Sequence, residues 1–140
     1  MITRNRFGVR ALVALALALC TGGAAVAADI LVPPPDSPSP AASGTAQTRY
    51  NFKVIGDGPF GGGYGAETRF QVFGLLPNTT YSFQVIDDAT WPGWYYEVVF
   101  TTDRRGKGSG KIGWLSDAPG TAVYTVVDGA DVVVLVGLEE

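Results

Sequence analysis

The chain has 140 residues, 46% of them hydrophobic and 16% charged, with 10 basic residues against 13 acidic ones, one cysteine and no histidine. Without histidine, and with the sole cysteine at position 20, the usual Ser-His-Asp, Cys-His and histidine-rich metal arrangements are excluded. The acidic balance disfavours nucleic acid and anionic membrane as partners.

Residues 1–28 have the three-part layout of a secretory signal peptide: Arg4, Arg6 and Arg10, then the apolar run Ala11–Leu19, then small residues ending in Ala25-Val26-Ala27. The apolar run is shorter than the roughly 20 residues a bilayer span needs. The expectation is a secreted, periplasmic or cell-surface protein that meets membrane only through this segment before cleavage. A retained anchor is one alternative. Lipidation of Cys20 is another, although the bulky Leu19 departs from the small residue that usually precedes a lipidated cysteine. Cleavage leaves 7 basic residues against 13 acidic ones, a net charge of −6, and no cysteine, so the exported domain would depend on its packed core without disulfides.

Residues 29–47 hold five of the nine prolines, between Pro33 and Pro40, mixed with Ser, Ala and Asp. This composition predicts a disordered linker. From residue 48 to 140 the pattern is β. Tyr50, Phe52 and Val54 alternate in a first strand, and the Gly-rich residues 56–65 read as a loop. Phe70 and Val72 mark a second strand, and residues 79–85 a third. Tyr96, Val98 and Phe100 mark a fourth, Ile112 and Trp114 a fifth, and Ala122, Tyr124 and Val126 a sixth. Asp128-Gly129 reads as a tight turn into Val132–Val136, whose two apolar faces predict a central strand. No stretch has a helical period. About seven short strands at this spacing predict an all-β, two-sheet sandwich, with a small barrel as the alternative.

The stretch GLLPNTTYSFQV, residues 74–85, narrows that expectation. Its Leu75-x-Pro77-x-Thr79-x-Tyr81-x-Phe83-x-Val85 pattern resembles the tyrosine-corner run of fibronectin type III domains and related immunoglobulin-like sandwiches. In those domains the tyrosine hydroxyl bonds back to backbone a few residues upstream. The order departs from fibronectin type III, where the corner precedes the next-to-last strands; here two predicted strands precede it and four follow. A wider arrangement is similar to small immunoglobulin-like domains of exported bacterial proteins. It joins Gly74, Leu75, Pro77, Asn78, Thr79 and Tyr81 to Phe100, Thr101, Thr102, Asp103, Gly106 and Gly108. The resemblance implies an immunoglobulin-like sandwich in which Leu75, Pro77 and Tyr81 are structural, and a use in adhesion, spacing or ligand binding.

Candidate chemistry is sparse. Asp87 and Asp88 are neighbours, which on a strand point to opposite faces, so they make no ready acid–base pair. Asp103 would suit the first position of a calcium loop, but Arg104, Arg105 and Lys107 stand where further carboxylates are needed. No catalytic residue, metal or cofactor is implied. Asn78-Thr79-Thr80 is formally a glycosylation sequon and equally a turn. The sharpest candidate is WPGWYY, residues 91–96, where Trp91, Trp94 and Tyr95 in a loop would offer flat aromatic surface to a polysaccharide or a cell-surface protein, with Phe60 and Tyr64 extending the patch. The competing reading has Trp91 or Trp94 plugging one end of the sandwich. The expected function is a non-catalytic binding or adhesion module. The alternative is a structural or assembly subunit, such as a homo-oligomer, that pairs through an edge strand or the apolar strand 132–136.

Overall fold

The computed structural model describes residues 28–54, 63–87, 95–116 and 119–139. They form eight strands: β1 (Asp29–Leu31), β2 (Ser43–Val54), β3 (Gly63–Phe73), β4 (Thr80–Asp87), β5 (Tyr96–Thr101), β6 (Gly108–Ser116), β7 (Ala122–Val127) and β8 (Val133–Leu138). The strands make two four-stranded antiparallel sheets, ordered β1-β2-β3-β6 and β5-β4-β7-β8. The fold is all-β, a two-sheet sandwich with no helix among the described residues.

The period-two pattern explains the layering. In β3, Ala66, Thr68, Phe70 and Val72 point between the sheets, while Arg69, Gln71 and Phe73 point to solvent. β6 follows the same rule, with Ile112 and Trp114 inside and Lys111 and Leu115 outside. Phe70 of the first sheet stacks on Phe83 of the second, with ring centroids 4.1 Å apart and planes at 7°. Phe100 and Tyr81 extend this aromatic column towards one end, and Tyr124 extends it towards the other. Each such pair adds about 0.5–1.5 kcal/mol to the burial itself. The column takes the place of cross-links in holding the layers together.

Two expectations need correction. Residues 29–47 are not a disordered linker: they contain β1, a turn-rich crossing and the first residues of β2. Composition misleads there because the four residues Asp29–Val32 are enough to fold. Leu31 is fully buried, and Val32 and Val136 exchange two backbone hydrogen bonds of 2.8 Å. The prolines fall after the pairing ends, where no ladder N–H is needed, and Ser37 Oγ ties the segment down by donating to the Val134 carbonyl at 3.0 Å.

The second correction concerns the apolar C-terminal strand. β8 ends its sheet's order, and its outer edge is closed by Val32 and Ser37. It is apolar on both faces because both are buried: Val134 and Leu135 join the main core, while Val136 joins Ile86 and Val123 in a smaller buried cluster on the outer face. Gly137 permits the close approach of the covering segment, since a Cβ there would lie 2.5 Å from a Leu31 methyl carbon.

The tight turn read at Asp128-Gly129 is present, with the Asp131 N–H donating to the Asp128 carbonyl at 3.1 Å. Asp128 opens a loop closed by its own N–H donating to the Val132 carbonyl, and the residue with positive φ is Asp131, at 59°.

Candidate functional site

The strand register gathers the β2–β3, β4–β5 and β6–β7 connections at one end of the sandwich. Val54 pairs with Gly63, Tyr64 with Ser116, Val85 with Tyr96, and Asp87 with Ala122. Trp91 and Trp94 lie outside the described residues, as do Phe60 and Asp88. Tyr95, where the β4–β5 connection meets β5, is 37% exposed. The strand ends here supply an aromatic floor on the inner side of the sheets. Trp114 of β6 is buried, with Tyr50 and Tyr96 packed against it at centroid distances of 6.1 Å, and Tyr64 meets Tyr50 edge-on at 6.3 Å.

Sequence reasoning missed the polar groups that lock this floor. The Trp114 indole N–H donates to Thr68 Oγ1 at 2.8 Å; Thr68 bonds Thr48 at 2.7 Å, and Thr48 bonds the Tyr124 hydroxyl. Glu139 forms a second clamp. Its carboxylate accepts from the Tyr50 hydroxyl and, on the other oxygen, from the N–H groups of Gly120 at 3.1 Å and Ala122 at 3.2 Å. Burial and the neighbouring Glu139 carboxylate push the Tyr50 phenol well above its ordinary value, and burial does the same to Tyr124. Asp87 is buried at the end of β4, and its carboxylate accepts from the Thr121 hydroxyl at 3.0 Å. Only the pairing of Glu139 with a tyrosine 89 positions earlier could have revealed the clamp, and neither residue carries a local motif.

The opposite end holds the corner. Tyr81 is 2% exposed, and its hydroxyl accepts the Leu76 N–H at 3.1 Å. Leu75 is buried, Pro77 is exposed, and Asn78 adopts φ 49°. The two runs joined by the sequence resemblance meet here. The Asn78 N–H donates to the Asp103 carbonyl, and the Leu75 N–H donates to the Gly106 carbonyl. Thr102, 3% exposed, sits at the centre: its hydroxyl accepts from the Thr79 N–H at 3.0 Å and donates to the Leu76 carbonyl at 2.6 Å. The Asp103 carboxylate accepts the N–H groups of Arg105 and Lys107, which hold its pKa below the usual carboxylate range. That use caps a turn, and no group of three or more metal-ligating side chains occurs among the described residues.

This division gives one end built of locked turns and another where aromatic rings stand at the strand ends that open three connections. Compared with protein-family models, with curated proteins and with solved structures, the chain matches none of them, so its reading rests on this geometry.

Proposed function

We propose that the chain is an exported, non-catalytic binding or adhesion module of immunoglobulin-like type, which contacts a polysaccharide or cell-surface protein through the loop bearing Trp91, Trp94 and Tyr95. The observation that carries this reading is that Tyr95, 37% exposed, stands at the start of β5 next to Tyr96, whose own ring packs on the buried Trp114. A recognition loop benefits from roots that do not move, because ordering a flexible loop on binding costs free energy. Here both roots stand on hydrogen-bonded strands packed over a buried tryptophan.

The immunoglobulin-like assignment draws support from connectivity. With β1 set aside, β2, β3 and β6 follow the A-B-E order of one immunoglobulin sheet, and β5, β4, β7 and β8 follow C′-C-F-G of the other. The tyrosine corner then stands at the B–C crossing rather than near strand F.

Titration of the full chain with plant and bacterial cell-wall polysaccharides, followed by tryptophan emission, tests the loop. A saturable shift lost in the Trp91→Ala/Trp94→Ala variant is expected, since Trp114 is buried and reports little. Emission that stays unmoved across the panel contradicts glycan binding through this loop. The assembly reading retains one specific support: β5 ends its sheet and exposes Val99 at 62%. A concentration-independent monomer in size-exclusion chromatography counts against it.

A further inference from the structure

The charges of this acidic chain are unevenly placed. The four strands of the second sheet contain no lysine or arginine. Among the described residues, the outer face of the first sheet carries Arg49, Arg69 and Lys111 against a single carboxylate, Glu67. The register aligns them. Arg69 of β3 stands directly opposite Lys111 of β6, and Arg49 of β2 stands opposite Glu67, one diagonal step from Arg69. Lys107, with its ammonium 5.4 Å from the centroid of the Phe73 ring, extends the stripe at the start of β6.

Between these cations lies an open groove of about 580 Å³, lined by Thr45, Gln47, Arg69, Gln71, Ser109 and Lys111, with Ala28 at the β1 side. Glu67 engages Arg69 only through Nε, at 3.0 Å, with the arginine side chain 72% exposed. The terminal guanidinium nitrogens therefore remain for a ligand, and Lys111 makes no ion pair among the described residues. Like charges placed directly across a strand pair repel and cost stability. An anion seated between them turns that repulsion into two attractions, with the guanidinium providing a planar fork for a carboxylate or sulfate.

We propose that the outer face of β2, β3 and β6 is a second binding site, for an acidic polysaccharide, in which Arg69 and Lys111 hold a carboxylate or sulfate group and the Gln and hydroxyl side chains around them hold sugar hydroxyls. The side-chain chemistry favours sugar over peptide. Gln47 and Gln71 both donate and accept, as a ring of hydroxyls requires. An extended peptide, by contrast, is captured by the backbone of a sheet edge, whereas this groove lies on a sheet face. The site is independent of the Trp91–Tyr95 loop.

The test is calorimetric titration of the full chain with polygalacturonate, neutral dextran and poly-L-glutamate at two salt concentrations. Polygalacturonate is expected to bind, to weaken steeply with salt, and to bind about tenfold more weakly to the Arg69→Gln/Lys111→Gln variant. The same affinity is expected for the Trp91→Ala/Trp94→Ala variant, which separates this site from the loop. Both cationic positions are exposed, so an unchanged melting transition is expected to show that the double variant folds; the single Lys111→Gln variant gives an independent reading. Binding no tighter than that of dextran, unchanged affinity in the cationic variants, or equal affinity for poly-L-glutamate overturns the proposal.

Discussion

At the scale of single residues, the corner is where side-chain chemistry has the most consequence. Thr102 satisfies two backbone groups with one hydroxyl, whereas Tyr81 satisfies one. Thr102→Val keeps the shape and strands both groups, so it is expected to cost about 2–3 kcal/mol, against about 1 kcal/mol for Tyr81→Phe; denaturant unfolding measures the difference. Gly106 has φ 78°, and a Cβ there would stand 2.0 Å from the Leu75 carbonyl oxygen, so Gly106→Ala is expected to disrupt the corner outright. Asp131 holds the equivalent position of the β7–β8 loop: Asp103 and Asp128 each accept the N–H groups two and four residues on, and each loop has its positive φ at the third residue after the aspartate. Asp131→Gly should therefore stabilise the fold by about 0.5–1 kcal/mol by relieving a left-handed non-glycine residue. The tyrosines give a pH prediction. The folded-state pKa values of Tyr50 and Tyr124 are raised, so their contribution is complete below the unfolded tyrosine value of about 10 and is lost as pH rises beyond it. Stability should fall above about pH 10, and less steeply in Tyr50→Phe/Tyr124→Phe.

At the scale of elements, β1 distinguishes a folded N-terminal segment from a tail. Leu31→Ala should cost about 2–5 kcal/mol, because the side chain is fully buried between β2 and β8; a disordered tail would give no change in the melting transition. The alternation in β3, β5 and β6 was legible because each strand buries one face against a long-range partner, which imprints a period of two on the sequence. β1 was not legible, because three residues are too few to show a period and five prolines dominate the composition that follows. The edge position of β8 was hidden for a related reason. Apolarity on both faces records burial, and an edge strand covered by Val32 and Ser37 is as buried as a central one. The corner runs were legible as local motifs, and their contact in space explains why they recur together in this chain. The Tyr50–Glu139 clamp was illegible, since it joins residues 89 positions apart by a contact only the fold creates.

At the scale of the whole molecule, the sandwich separates its surfaces by chemistry. One end is fixed by the corner and its aspartate-capped turn, the other brings aromatic rings to the strand ends that open three connections, one outer face is basic and polar, and the opposite one has no lysine or arginine on its strands and buries Ile86, Val123 and Val136. A binding module needs this kind of rigid scaffold under its contact groups, and the aromatic column from Tyr81 to Tyr124 supplies it. The central claim is that recognition occurs at the aromatic loop end and that edge pairing plays no part. Hydrogen–deuterium exchange of the full chain, with and without a saturating polysaccharide from the titration panel, tests it most directly. Slowed exchange in residues 88–96 with β5 backbone amides beyond them unchanged is the predicted result; unchanged exchange in residues 88–96 together with protection along the β5 edge would contradict it.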